Sequence, residues 1–217
     1  MALAIFDLDN TLIAGDSDHT WGDFLIKLGV VDKDEHKATN DQFYEDYLRG
    51  ELDIFSYIRF ATRPLTCHPL PQLHDWREQF IRDAISPMML PKATNLLQKH
   101  RDQGDFLLII TATNRFVTEP IAELLGVDDL IATELEMRDG AYTGEVEGTP
   151  SYQEGKVTRL GQWLQQRPFD LSDAYFYSDS HNDIPLLDKV GNPIVVDGDR
   201  QLLEYAERNN WPTMSLR

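Results

Sequence analysis

Four short apolar runs punctuate the chain, and each ends in polar residues. They are Leu3-Ala4-Ile5-Phe6 before Asp7, 106–110 before Thr111-Ala112-Thr113, Ala174-Tyr175-Phe176-Tyr177 before Ser178-Asp179, and Pro193-Ile194-Val195-Val196 before Asp197. Unbroken runs of this length suit strands buried on both faces, as in a parallel sheet, although periodicity alone also permits helix. Helical spacing fills the gaps. Residues 91–103 begin with Pro91 and stop at Gly104, 117–125 stop at Gly126, Val157, Leu160, Trp163 and Leu164 mark a third helix, and 202–208 a last one. Strand and helix in alternation predict an α/β fold with a doubly wound parallel sheet and right-handed crossovers.

Residues 15–86 break the alternation. Trp21, Phe24, Leu25 and Leu28, then Phe43, Tyr44, Tyr47 and Leu48, then 54–60 and 73–81, all follow helical spacing. The expected organisation is a helical cap over 15–86, inserted after the first strand of a core built from 1–14 and 87–217, with the cap aromatics forming a small core of their own. The stretch 134–147, with Asp139-Gly140 at its middle, predicts a β-hairpin.

Ligands of open parallel sheets bind beyond the carboxyl ends of the strands. Those ends carry Asp7 and Asp9, Thr111, and Asp179 with Asp183, while Lys156 arrives at a helix start. Clustered carboxylates need protons, cationic side chains or a bound cation. Oxygen donors without Cys or His favour Mg²⁺, which accepts phosphate oxygens, so the set points to phosphoryl transfer. If the chain stays extended, Asp7 and Asp9 point to one face. They then flank one phosphate, one attacking phosphorus and the other donating a proton. Lys156 and the cation neutralise the charge, and Thr111 with the backbone N–H of Ala112 holds phosphate oxygens. Plainer readings exist: a strand-ending turn for Asp7 and Asp9, a β-branched strand residue for Thr111, a surface charge for Lys156 and a helix cap for Asp183.

These residues, in order, resemble the motifs of the haloacid dehalogenase superfamily, in the branch of phosphoserine phosphatase and histidinol-phosphate phosphatase-like enzymes. Asp7-Leu8-Asp9-Asn10-Thr11 matches the first motif, Leu108-Ile109-Ile110-Thr111 the second, Lys156 the third, and Ser178-Asp179-Ser180-His181-Asn182-Asp183 the fourth, over residues 7–183. The resemblance implies Asp7 as nucleophile and Asp9 as general acid and base. It implies a Mg²⁺ site made by Asp7, the Asp9 carbonyl and Asp179, with Asp183 binding through water or standing behind the ligands. It also implies that Asn182 helps hold phosphate or substrate, and that the cap selects the leaving group. Ser180 and Thr113 stand where the branch commonly has glycine.

The charge sum of −17 leaves no basic patch for nucleic acid. The opening residues lack a basic leader, and no stretch approaches the roughly 20 apolar residues of a membrane span. A cytosolic enzyme acting on a small phosphorylated metabolite is therefore expected. Residues 1–50 hold 11 acidic and 4 basic residues, and Asp16 and Asp18 follow the first motif directly. An acidic entrance favours an amine-bearing leaving group such as that of histidinol phosphate; phosphoserine fits half of that sign, and a merely solvated acidic surface is the plain alternative. Arg49, Arg59 and Arg63 are candidates to meet a substrate anion, or simple surface residues. A phospho-accepting receiver module of signalling proteins would use a similar acidic cluster, Ser/Thr and Lys, but needs neither Asp9 nor the insertion.

Overall fold

The computed structural model describes all 217 residues. Strands β1 (Leu3–Phe6), β2 (Phe106–Asn114) and β3 (Asp129–Thr133) are followed by a hairpin of β4 (Leu135–Arg138) and β5 (Ala141–Val146). Strands β6 (Tyr175–Ser178), β7 (Asn192–Val196) and β8 (Thr213–Met214) complete the set. The main sheet has the order β3-β2-β1-β6-β7-β8, and every pairing in it is parallel. The four apolar runs are its central strands. β3 escaped the sequence pattern because only Leu130, Ile131 and Ala132 form its apolar run, and they follow the preceding helix closely. In the hairpin, Asp139 (φ 50°) and Gly140 (φ 79°) take the two left-handed positions that a two-residue turn requires.

Side chains alternate across the sheet. Leu3, Ile5, Leu108, Ile110 and Phe176 enter one apolar cluster, whereas Ala4, Phe6, Leu107 and Ile109 enter the other. The first cluster is covered by α7 (Glu154–Leu164), the short α8 (Ile184–Leu187) and α9 (Arg200–Asn209), through Leu160, Leu186 and Leu202. The second meets α5 (Pro91–Asp102) and α6 (Arg115–Leu125), through Leu97, Phe116 and Ile121. Both faces are therefore buried, as a parallel sheet demands.

Between β1 and β2 lie α1 (Ser17–Lys27), α2 (Lys33–Leu48), α3 (Ile54–Thr66) and α4 (Leu70–Phe80), then a π-helical turn over Ile81–Ile85. Asp16, Asp32 and Asp53 cap α1, α2 and α3 with their carboxylates. The aromatic residues of this insertion do not form a separate core, contrary to the sequence expectation. Trp21 stands edge-on to Phe80 at 5.1 Å and to Phe116 of α6 at 5.8 Å. Trp21, Phe24, Ile58, Leu73 and Phe80 belong to the same apolar cluster as Phe6 and Ile109. The reason is proximity: α1 and the π-helical turn lie against α6, so their apolar faces close on the sheet's own layer. α2 differs. None of its side chains joins that cluster, and its buried residues are His36 and Asn40. It leans on α3 through Phe43, whose ring lies 5.3 Å from Tyr57 and 5.4 Å from Phe60.

A shared core makes insertion and sheet one cooperative unit. Phe80→Ala is expected to cost about 3–5 kcal/mol and to leave a single unfolding transition in urea, followed by circular dichroism and tryptophan fluorescence together. Two separated transitions would show that the layers hold independently.

Candidate active site

β1 pairs with β2 on one side and β6 on the other, so the strand order reverses beside it. At such a switch point the loops diverge and leave a crevice. Asp7 sits there, 7 % exposed, its N–H donating to the Tyr177 carbonyl at 2.9 Å. The chain does not stay extended beyond it. Leu12 N–H donates to the Leu8 carbonyl at 2.9 Å, and Asn10 takes φ 57°. Asp9 therefore reaches the crevice from a tight turn held by the buried Leu8, Leu12 and Ile13, not by strand alternation. In the same turn the Thr11 hydroxyl donates to Asp179 Oδ1 (2.9 Å) and accepts from the Asp179 N–H (3.1 Å), clamping the loop after β1 to the loop after β6.

Lys156 is 3 % exposed. Its Nζ donates to Asp7 Oδ1 at 2.7 Å and to Asp183 at 2.7–2.8 Å. Its position depends on Gly155: a Cβ there would lie 2.0 Å from the Pro150 carbonyl oxygen, so only glycine lets the start of α7 pass this close. Asp183 also accepts from the Ser178 hydroxyl at 2.7 Å. Its carboxylate is thus occupied by Lys156 and Ser178, which makes it a support for the lysine.

Asp9 is held on both oxygens. Oδ1 accepts the Ser17 N–H at 2.6 Å, and Oδ2 accepts the Thr113 hydroxyl at 2.8 Å, with Thr111 Oγ1 farther away at 3.5 Å. The Thr111 hydroxyl also accepts the Thr113 N–H at 3.2 Å, and Ala112 lines the crevice between them. Sequence reasoning noted Thr113 only as a departure from a motif; its signal was a hydroxyl two residues beyond Thr111, on the same side of β2. Ser180, the other departure, accepts from Tyr47 Oη (3.1 Å) and from the Asn182 N–H (3.2 Å). Asn182 is used by the protein itself: Oδ1 accepts from Tyr152 Oη (3.0 Å) and Gln153 Nε2 (2.9 Å), and Nδ2 donates to the Tyr47 carbonyl (3.1 Å). With Gln153 Nε2 to the Gly50 carbonyl at 3.4 Å, these bonds join the end of α2 to the loops of the sheet. Nothing in the sequence pattern marked Tyr47, Tyr152 or Gln153 for that part.

Burial dominates the electrostatics. It pushes the Asp7 carboxyl up to about 7, against the pull of Lys156 and with help from Asp183 and Asp9. Burial and the charge of Asp16 raise Asp9 to about 6. Asp179 rises well above the usual carboxylate range through burial and the charge of Asp7. Burial opposes charge on Lys156, but Asp183 and Asp7 outweigh it and the ammonium is firmly retained.

The donor set fits a small hard cation. Asp7 Oδ2, Asp179 Oδ2 and the Asp9 carbonyl accept no hydrogen bond from the protein, and Asp7 and Asp179 repel each other. No three His, Cys, Asp or Glu side chains enclose an ion by themselves. Two carboxylates and a carbonyl suit Mg²⁺, which keeps several waters and demands no protein cage.

Asp7, Asp9, Thr111, Ala112, Lys156, Asn182 and Asp183 line one cavity, whose far wall is the helical insertion. Asp16 and Asp18 line it too, so they are not merely solvated surface. The three arginines face elsewhere: Arg49 pairs with Asp46 and Glu51, Arg59 with Glu145, and Arg63 lies beside Cys67 on the outer side of the insertion. No helix is long and apolar enough to cross a membrane.

Residues 4–188 match the model of the haloacid dehalogenase-like hydrolases. The chain is 44% identical, over 99% of both lengths, to a histidinol-phosphatase of Neisseria meningitidis serogroup C (strain 8013). It is also 44% identical to a protein of unknown function from Bordetella pertussis Tohama I, whose crystal structure superposes with a TM-score of 0.93 over 100% of this chain and 99% of that one. A substrate-bound phosphoserine phosphatase shares the fold at TM-score 0.72 and 20% identity, over 98% of this chain and 92% of that one.

The raised carboxyls fix how stability varies with pH. In the unfolded chain they ionise near 4. In the folded protein Asp9 keeps its proton to about 6, Asp7 to about 7 and Asp18 to about 8. Between these limits the folded state binds more protons than the unfolded state, so stability falls as pH rises. Chelator-treated protein is expected to melt at higher temperature near pH 5.5 than near pH 8 by circular dichroism. A melting temperature that climbs over that interval would contradict the burial of these groups.

Proposed function

This chain belongs to the haloacid dehalogenase-like hydrolases, in their phosphatase branch, and from that premise we propose that it hydrolyses the phosphomonoester of a small amine-bearing metabolite, of the kind histidinol phosphate represents. Membership removes the receiver module as a reading. The observation that carries the proposal is the buried Asp7, one oxygen held by Lys156 and the other open to the cavity, with Asp9 beside it. The amine-bearing substrate is supported by the likeness, over 99% of both lengths, to the histidinol-phosphatase of Neisseria meningitidis.

Asp7 attacks phosphorus in line, forming a carboxylate–phosphorus bond as the bond to the leaving oxygen breaks. Asp9 gives that oxygen its proton, then takes one from the water that attacks the aspartyl-phosphate. Inorganic phosphate leaves and both carboxyls return to their starting state. A carboxyl raised to about 6 is suited to both steps near neutral pH. The Thr113 hydroxyl and the Ser17 N–H fix the direction of that transfer. Lys156 orients Asp7 and stands against the charge of the incoming phosphoryl group. Thr111 and the Ala112 N–H hold phosphate oxygens, and Asn182 ties the loops around them. Mg²⁺, when bound by Asp7, Asp179 and the Asp9 carbonyl, neutralises the repulsion between carboxylate and phosphate. The segment 15–86 acts as the cap that closes the site from water.

Asp7→Asn is expected to abolish release of inorganic phosphate from both histidinol phosphate and an aryl phosphate while the melting temperature is kept or raised. Chelation is expected to remove the activity of the unaltered protein and Mg²⁺ to restore it. Turnover by metal-free Asp7→Asn protein would refute the scheme. Thr113→Val leaves Asp9 with one partner fewer; kcat is expected to fall about tenfold, roughly the value of one hydrogen bond to a charged group, with the acidic limb of the pH–rate profile displaced. An unchanged kcat and profile would show that Asp9 needs no such support.

A further inference from the structure

The half of the cavity farther from Asp7 is walled by the insertion, and its polar groups mostly accept hydrogen bonds. Asp16 uses Oδ1 to cap α1, taking the N–H groups of Asp18 (2.9 Å) and His19 (2.8 Å). Asp18, in the first turn of α1, receives a long contact from Asn114 Nδ2 at 3.4 Å and has the Tyr57 hydroxyl beside it as a donor. Asn40, from the separate helix α2, is 4 % exposed. Its Nδ2 meets His19 Nδ1 at 3.0 Å, and its side-chain oxygen accepts nothing from the protein. Rings of Phe43, Tyr44 and Tyr57 complete this wall.

The whole cavity contains one lysine, one histidine and no arginine; the lysine is held by Asp7 and Asp183, and the His19 ring is engaged by Asn40 and Asp41. A carboxylate on the leaving group would enter next to Asp16 and Asp18 with no free lysine or arginine to meet it. An ammonium or a protonated imidazole would instead find carboxylates, an open amide oxygen and aromatic faces. The difference is one of rejection as much as attraction.

We propose that Asp18, backed by Tyr57 and Asn40, reads the leaving group and selects phosphomonoesters whose organic part carries a cation and no carboxylate. The inference rests on the phosphatase reading above and adds the residues that set its specificity. Burial and Asp16 raise the Asp18 carboxyl to about 8, as befits an acid that ionises fully only when a cation comes beside it.

Ethanolamine phosphate and O-phosphoserine differ by one carboxylate and so isolate the effect. Their kcat/KM values are to be measured on the Mg²⁺-loaded full chain, unaltered and as Asp18→Asn, with histidinol phosphate and an aryl phosphate alongside. Melting temperatures establish that the variant is folded, and Asp18→Ser replaces it if it is not. The unaltered protein is expected to prefer ethanolamine phosphate to phosphoserine by about tenfold or more. Asp18→Asn is expected to reduce that ratio about tenfold, the effect of one lost charge contact, chiefly through the KM of the amine. A ratio unchanged within about twofold in the folded variant, or a native preference for phosphoserine, overturns the inference while leaving the phosphatase reading intact. Failure to hydrolyse any of the esters, the aryl phosphate included, sinks the phosphatase reading and this inference with it.

Discussion

The structure turns on one ammonium group placed between two buried carboxylates. Lys156 bridges Asp7 and Asp183 at hydrogen-bond distance, nearly out of contact with water. Such a triad costs desolvation that its own attraction only partly offsets, so the surroundings have to hold it in place. Gly155 admits the helix start that carries the lysine, Ser178 ties Asp183 from behind, and the carboxyl end of the central strand β1 presents Asp7. One carboxylate excess remains even so, because Asp179 stands near Asp7 with only Thr11 and a backbone N–H to temper it. That residual repulsion is what the proposed Mg²⁺ would relieve, and its oxygen donors come from the loops after two neighbouring strands, β1 and β6.

Most of this was legible because strand ends are local features. An apolar run that stops at a polar residue marks both the strand and the place where its chemistry sits, and Asp7, Thr111 and Asp179 all follow from that rule. Lys156 could be placed only through its motif, since a lone lysine usually means surface. What stayed hidden depends on contacts far apart in sequence. The bond from Thr113 to Asp9 spans 104 residues, and that from Tyr47 to Ser180 spans 133. The packing of Trp21 on Phe116 is of the same kind: helical spacing reveals an apolar face but not the layer it closes on. The turn at Leu8–Leu12 is not visible in the sequence because Asn10 at a left-handed φ leaves no periodic trace.

The two departures from the family pattern, Thr113 and Ser180, share a property that glycine lacks. Each hydroxyl bonds across to another segment, Thr113 to the first loop and Ser180 to α2. Replacement of glycine at these positions therefore changes the wiring around Asp9 and around the end of α2.

The polar character of α2 sets where the molecule breathes. Exposing the Trp21–Phe80–Phe116 contact would open apolar core to water, whereas freeing the end of α2 gives up a handful of hydrogen bonds worth about 0.5–1.5 kcal/mol each. The end of α2 is thus held to the sheet's loops by polar contacts, whereas the other helices of the insertion are held by shared apolar core. α2 carries Asn40, Phe43 and Tyr44, so the least costly part of the wall to displace is also one that lines the cavity.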